Sequence, residues 1–362
     1  MNRDELRFHV WLTNTKFIGP ESARGLLNIF KSPDKVFYAD EDSLKSAGLK
    51  SNQVTSILQN RSLDLADRIL ETCEDKGIKI LTINDSRYPS HTRLIKDIPT
   101  LLYYRGSLDR LNSGVGIVGT RRCTQYGKKV TRDIVDRLKG YNLSIISGMA
   151  KSIDAYAHTA AINNNMKTMA FLGNGVDICY PSEHMKLMEG IIENGAVISE
   201  YPPGERPSSH TFPRRNRLIA AFSKRLIVVE AGEKSGSLTT ASYALKYNTP
   251  VFAVPGSIYS DESIGCISLI EKGAKIFNLN NIPLLETKAK KALEIEDDVE
   301  KQIIKALEGS SKSIDELLLC LDLPVDYLLE KISIMELEGK ISMTSSGGFS
   351  PPGVACLLGN VE

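Results

Sequence analysis

No two cysteines of this 362-residue chain lie closer than 36 positions, and its six thiols form no CxxC pair and no Cys/His cluster. A structural zinc site needs such spacing, so the pattern excludes one. Scattered single thiols read as small core residues of a reducing compartment. An excess of one charge is missing too: 45 Lys and Arg stand against 44 Asp and Glu, a formal +1. That excludes a uniformly basic nucleic-acid coat protein, while a local basic face stays open. No run approaches the roughly 18 apolar residues of a membrane span. The opening MNRDELRFHVW carries acids where a signal peptide needs an apolar stretch. We expect a cytoplasmic protein that uses no membrane, metal or cofactor.

At about 150 residues per domain the length predicts two or three domains. Residues 1–75 read as a helical domain. Leu6, Val10 and Leu12 begin one amphipathic stretch, and Ala23, Leu26, Leu27 and Phe30 continue at helical spacing after Gly19-Pro20. A second turn at Ala47-Gly48-Leu49 leads into Val54, Ile57 and Leu58. Two such units resemble helix-hairpin-helix (SAM-like) modules, which hold DNA phosphate on the hairpin backbone. They also read as a plain helical packing domain. The apolar runs Ile78–Ile83 and Thr100–Tyr104 are expected to form a lead-in to the next domain.

From residue 114 the period changes. The runs Val115–Val118, Ser144–Ile146, Thr168–Leu172, Val197–Ser199, Leu226–Val229 and Val251–Val254 alternate with helical stretches. Strands alternating with helices predict a Rossmann-like, doubly wound parallel α/β sheet over residues 76–280. Residues 281–296 read as a linker. Residues 297–362 read as three helices and a hairpin, the order of a winged helix, with a Ser313/Glu316 capping box.

The candidate site lies at strand ends. Gly114-Val-Gly-Ile-Val-Gly119 spells GxGxxG, but its first glycines fall inside the strand, so it is not a dinucleotide fingerprint. Gly119, Thr120, Arg121 and Arg122 follow that strand. Glycine permits close backbone approach, and a hydroxyl with arginines suits phosphate; a tight turn with solvated arginines is the plainer reading. Ser147, Gly148 and Lys151 form a second small-residue loop. Asp154 and His158 share one helical face and are read as structural, a cap and a buried donor. Gly173, Asn174 and Gly175 end the third strand.

Residues 205–225 hold six basic residues and one acid. Phe212 beside Arg214, Arg215, Asn216 and Arg217 suits single-stranded nucleic acid, with a base on the ring and phosphates on the guanidiniums; solvated arginines with a core Phe212 is the alternative. Ser235, Gly236 and Ser237 open another anion-cradling turn. Glu230 is expected to pair with a nearby arginine. Residues 114–280 carry net +6 and residues 297–340 net −6. The C-terminal domain is therefore expected to serve protein contact or regulation rather than to be the principal DNA surface.

Together these residues resemble the DNA-processing protein A family (DprA, also called Smf). The carrying motifs are Val118-Gly-Thr-Arg121, Ser147-Gly-Met-Ala-Lys-Ser-Ile-Asp154, Leu172-Gly-Asn-Gly175 with Tyr180-Pro181, Ser199-Glu-Tyr-Pro-Pro-Gly204, Phe212-Pro-Arg-Arg-Asn-Arg217, Ser235-Gly-Ser-Leu-Thr-Thr-Ala241 and Phe252-Ala-Val-Pro-Gly256. The resemblance covers residues 78–280 and extends to both flanking domains. It implies a homodimer that binds and protects single-stranded DNA and loads the RecA recombinase onto it in natural transformation and recombination. Carried over by position, Gly119, Thr120 and Arg121 hold phosphate and Phe212 stacks a base.

The rival reading is an enzyme, a nucleotide hydrolase similar to the lysine-decarboxylase-like group. That chemistry needs a carboxylate in the helix after the glycine turn. Leu238-Thr-Thr-Ala-Ser-Tyr243 has none, so Glu230 would have to act from the strand.

Overall fold

Short Val- and Ile-rich runs form one nine-stranded sheet, in the order β1-β2-β6-β5-β4-β3-β7-β8-β9. The computed structural model describes residues 3–109, 111, 114–279, 299–307, 310–321, 323–337, 339–344 and 347–350. The chain divides into two units, residues 1–282 and 283–362.

In the first unit, β3 (Gly114–Val118), β4 (Ser144–Ser147), β5 (Lys167–Leu172), β6 (Ala196–Ser199), β7 (Ser223–Val228), β8 (Val251–Ala253) and β9 (Lys275–Ile276) pair in parallel. Every side chain of β3, β4, β6 and β8 is buried, as befits strands covered on both faces. The helices α7 (Gln125–Leu138), α8 (Ile153–Asn163), α9 (Met185–Asn194), α10 (Thr211–Phe222), α11 (Gly236–Lys246) and α12 (Ile264–Glu271) supply the crossovers. Strand order reverses about β3, which lies between β4 and β7. The crevice at such a reversal is where open α/β sheets bind ligands.

The lead-in expected at 78–105 is corrected by the structure. β1 (Lys79–Thr82) and β2 (Leu101–Gly106) pair antiparallel and extend the same sheet, with β2 against β6 in the register Tyr103↔Ser199. Gly106 makes this fit, because a Cβ there would fall 2.1 Å from the Gly195 carbonyl oxygen.

The sheet separates two cores by strand alternation. Met169 and Phe171 of β5 face a core completed by Leu218–Phe222 of α10, where Phe222 packs on Phe171 at 4.8 Å and on Tyr88 at 5.5 Å. Ala170 and Leu172 face the other side. There they share a core with the helices α1 (Arg3–Asn14), α2 (Pro20–Phe30), α3 (Pro33–Tyr38), α4 (Glu41–Ser46), α5 (Ser51–Gln59) and α6 (Asp64–Asp75). The six N-terminal helices are thus continuous with the sheet's hydrophobic interior. Trp11 anchors them, edge-on to Phe37 and donating from Nε1 to the Asn60 carbonyl at 2.7 Å. In the α1–α2 turn Phe17 adopts a left-handed φ of 65° with its side chain exposed, while Gly48 fills the corresponding position at 81°.

The second unit begins with helical residues 299–306 and the helix Ile314–Cys320, which carries the Ser313/Glu316 capping box. The helix Val325–Leu337 and two paired strands, β10 (Ser342–Met343) and β11 (Phe349–Ser350), follow among the described residues. Asp326, Glu330 and Glu336 of the longer helix are exposed, and its one basic residue, Lys331, is buried. The expected linker at 281–296 lies outside the described residues. No helix among those described is long and apolar enough to cross a membrane.

Two core histidines contribute to the acid response. Burial pushes His9 down to about 4 and His158 down to about 3. The unfolded chain takes up both protons near 6.5, whereas the fold stays neutral at both until those lower values. Their contribution to stability is therefore complete above pH 6.5 and falls as pH drops towards 4, by up to about 1.4 kcal/mol per pH unit for each histidine. Urea denaturation between pH 7.5 and 4.5 should show this loss, with a shallower slope in His158→Gln. Equal slopes in the two proteins would remove His158 from the account.

Candidate nucleic-acid interface

Segments that follow β3, β4, β6 and β7 meet around a groove of about 540 Å³. The first begins at Gly119, where a Cβ would fall 2.6 Å from Ile153 and 2.9 Å from the Glu230 carbonyl oxygen. Only glycine lets the chain leave β3 here. Arg121 and Arg122 are exposed at the groove wall. Thr120 lies beside them but its polar groups are engaged: its N–H donates to the Glu230 carbonyl at 2.7 Å, and its hydroxyl accepts from the Arg122 N–H at 3.2 Å.

Glu230 does not pair with an arginine as expected. Its carboxylate accepts from the Thr124 N–H at 2.9 Å and the Thr124 hydroxyl at 2.6 Å, buried over the N-terminus of α7. The positive end of that helix favours a carboxylate. Gly127 gives it room, since a Cβ there would sit 2.1 Å from Oε2.

The β4 loop is folded inward. Ser147 is fully buried and donates to the Ile117 carbonyl at 2.6 Å. Asp154 accepts from the N–H groups of Gly148 (3.1 Å) and Ala150 (3.3 Å), holding a turn in which Met149 and Ser152 have φ of 56° and 75°. Burial raises the Asp154 carboxyl and the nearby Arg215 charge opposes this. His158 lies in the core with Nδ1 on the Thr168 hydroxyl at 2.7 Å. Lys151 is exposed and ion-paired with Glu183. In the β5 loop, Asn174 is buried and donates to the carbonyls of Gly175 (2.9 Å) and Ile178 (2.7 Å). Gly175 lies against Asp177, and Gly173 lies under Phe212, where a Cβ would be 3.0 Å from the ring.

The arginines of α10 divide. Arg214 is exposed, 3.7 Å from Glu200. Arg215 is buried and donates through Nη1 to the Gly148 and Phe171 carbonyls, at 2.5 and 2.7 Å, and through Nε to Asn216 at 3.0 Å. Burial brings it down to about 10. Arg217 is buried and donates to Glu200 at 2.5 Å. The reading of Arg215 and Arg217 as phosphate-facing arginines is therefore corrected, because both are buried and turned inward, Arg215 to two backbone carbonyls and Arg217 to Glu200.

Phe212 is half-buried in the groove. Arg121 lies over its ring at 5.5 Å and Arg215 at 6.0 Å. Tyr180 adjoins it at 5.4 Å with a 33° tilt. Across the groove Ser235 caps α11, accepting from the Ser237 N–H, with the two hydroxyls 2.8 Å apart. Gly236 is exposed at the start of that helix, and Asn216 donates to its carbonyl at 3.1 Å.

The groove thus gathers Gly119, Thr120, Arg121, Arg122, Asp154, Phe212, Arg215, Asn216, Ser235, Gly236 and Ser237. It does not gather Ser147, Gly148, Lys151, Gly173, Asn174, Gly175, Arg214, Arg217, His158 or Glu230. Sequence reasoning missed Lys234, exposed on the groove rim, and Tyr180. A lysine adjoining Ser-Gly-Ser was a signal for the first. Only the fold brings Tyr180 to Phe212. Among the described residues no three His, Cys, Asp or Glu side chains cluster as metal ligands.

Comparison with known proteins places the chain in a family. The family model for DNA recombination-mediator protein A matches residues 79–286. Protein Smf of Synechocystis sp. is 36% identical over 299 residues, spanning 79% of this chain and 75% of the relative. The X-ray structure of DNA processing protein A from Streptococcus pneumoniae is similar at 33% identity with a TM-score of 0.67, over 75% of this chain and 94% of that one. The structure of DNA processing protein A from Helicobacter pylori, described for its single-stranded DNA binding mode, is similar at 33% identity and TM-score 0.53. That similarity covers 59% of this chain and 97% of that one.

The two classes of arginine should separate on mutation. Arg217→Ala removes the buried cation on Glu200, leaving only the exposed Arg214 at 3.7 Å, and should lower unfolding free energy by about 3 kcal/mol. Arg121→Ala alters an exposed side chain and should change it by about 0.5 kcal/mol or less. Chemical denaturation distinguishes them, and equal losses would contradict the division.

Proposed function

The chain belongs to the DNA recombination-mediator protein A family, and we propose that it binds single-stranded DNA in the groove at the C-terminal edge of the sheet. The observation that carries this is Phe212, whose half-buried ring lies beside the exposed Arg121 at a basic strand edge. A base stacks on the ring and its phosphates lie on Arg121, Arg122 and Lys234. The N-terminus of α11, with Ser235 and Gly236, offers further N–H donors to phosphate. Stacking reads no base edge, so binding is only weakly dependent on sequence. Duplex DNA hides its base faces, so the groove prefers the single strand. The single-stranded DNA binding of the Helicobacter pylori relative supports this reading.

The wider role we propose is DNA processing in natural transformation and recombination: protection of the incoming strand and loading of RecA onto it, by a homodimer and without catalysis. The recombination-mediator description of the family supports it. We read the α1–α5 hairpins as helix-hairpin-helix (SAM-like) modules. We read the C-terminal unit as a winged helix whose exposed acids suit protein contact rather than DNA.

Phe212→Ala should weaken binding of an oligothymidine by roughly 5- to 150-fold, the range of one lost base–aromatic stack. Arg121→Ala should weaken it and lower the slope of log affinity against log salt by about 0.7. Filter binding at two salt concentrations reads both, and wild-type affinity in the two variants would sink the assignment.

A further inference from the structure

A second group of cations stands outside the groove. Residues 121–132 carry five basic residues and no acid. Arg121 and Arg122 belong to the groove wall, and Lys128, Lys129 and Arg132 continue from them along α7. Positions 128, 129 and 132 share one face of the helix's first two turns. Lys129 and Arg132 are exposed and Lys128 is half-buried. Among the described residues none of the three is ion-paired, whereas Lys151 in the neighbouring loop is held by Glu183. Lys128 and Arg132 stand four apart, and Lys129 and Arg132 three apart. Such like-charge pairs destabilise a helix until an anion lies on them. The face ends at Asp136, whose carboxylate accepts from Asn164 at 2.6 Å.

An aromatic ring adjoins this face. Tyr156 of α8 is half-buried, with the Lys128 ammonium over its ring at 5.0 Å. The pairing repeats that of Phe212 with Arg121 in the groove, at 5.5 Å. Three hydrogen bonds fix its place. The Cys123 N–H donates to the Ser152 hydroxyl at 2.9 Å, tying the loop of Arg121 and Arg122 to the start of α8. The Tyr156 N–H donates to the Ser152 carbonyl at 2.9 Å, and the Lys128 N–H to the Thr124 carbonyl at 3.1 Å. Tyr156 and Lys128 thus each stand one helical turn, about 5.4 Å, from the junction beside Arg122. Ser152, Ala155 and Thr159, the neighbours of Tyr156 on the same side of α8, are small, which leaves room for a flat ligand.

A row of unpaired cations alone suits any polyanion. A ring among them selects a polyanion whose units carry a flat face, and this row begins where the groove ends. We propose that single-stranded DNA leaving the groove past Arg122 continues over α7 and α8, with a base on Tyr156 and phosphates on Lys128, Lys129 and Arg132. Lys128 gives up the ring to the base, since its flexible stem lets the ammonium turn to a phosphate. Base stacking with flanking cations is the pattern of sequence-tolerant single-strand binding, so the second platform lengthens the strand that one molecule covers. The track rests on the single-strand reading above, and the test separates its failure from the failure of that reading.

The test varies strand length. Anisotropy is read on the full chain with oligothymidines of about 4 and about 16 nucleotides, the span of single-strand site sizes. The short strand fills the groove alone, so its log affinity should fall against log salt with a slope of about −2, from Arg121, Arg122 and Lys234. On the long strand the slope should steepen by about 2 more, from Lys128, Lys129 and Arg132. Lys129→Gln with Arg132→Gln changes two exposed side chains and should leave the melting temperature unchanged. It should take about 1.4 from the long-strand slope and nothing from the short-strand slope. Tyr156→Leu should weaken the long oligothymidine about fivefold or more, and leave a long strand of abasic residues unchanged. Equal slopes on the two lengths, or wild-type binding of the long strand by the variants, overturn the track and leave the groove standing. Equal loss on the thymidine and abasic strands overturns stacking on Tyr156. Failure of the wild-type protein to bind either length removes the single-strand reading, and the track with it. Should Tyr156→Leu not fold, crosslinking of wild-type protein to a long 5-iodouracil strand decides. A crosslinked peptide containing Tyr156 supports the track, and crosslinks confined to the Phe212 peptide overturn it.

Discussion

A guanidinium buried beneath the strand ends holds the groove together. Arg215 reaches from α10 to the Gly148 carbonyl after β4 and the Phe171 carbonyl within β5. An arginine cannot shed its charge, so each carbonyl it meets must stay in place. Asp154 works from the opposite side, drawing in the Gly148 and Ala150 N–H groups. Its charge favours the buried cation. The β4 loop is clamped between the two, in a backbone conformation that costs energy at Met149 and Ser152.

The surface chemistry follows from that clamp. Gly148 must lack a side chain, because a Cβ would lie 2.4 Å from the Arg215 guanidinium. Arg215 runs under Phe212, and Gly173 floors the same ring. The ring is thereby fixed with Arg121 beside it, so little ordering remains for a ligand to impose. The glycines that follow β4, β5 and β7 divide between two tasks. Gly148, Gly173 and Gly175 make room for protein atoms, and Gly236 opens towards solvent.

Much of the fold is legible in the sequence because local rules decide it. Buried parallel strands need unbroken Val and Ile, and those runs mark β3 to β8 within two or three residues at each end. The Ser313/Glu316 box marks its helix for the same reason. What is not legible depends on partners distant in the chain. β1 and β2 look like any short apolar runs until β6 offers an edge. Six basic residues in 205–225 look uniformly like a phosphate surface. Yet helical geometry turns Arg215 and Arg217 inward, and only the fold supplies Gly148, Phe171 and Glu200 to receive them. Glu230 was misread likewise, since its partner Thr124 lies 106 residues away. The groove was found by residue type at strand ends, whereas the split between cations that build it and cations that face solvent required coordinates.

The groove thus presents a small set of exposed cations and one aromatic face, held by a buried scaffold. Fluorescence anisotropy with labelled oligothymidine, against a duplex of equal length and across a salt series, tests this most directly. We expect the single strand to be preferred. Its log affinity should fall against log salt with a slope near −2, about −0.7 for each of the three exposed groove cations Arg121, Arg122 and Lys234. Equal affinity for duplex, or binding indifferent to salt, would contradict a groove that works by stacking and phosphate contact.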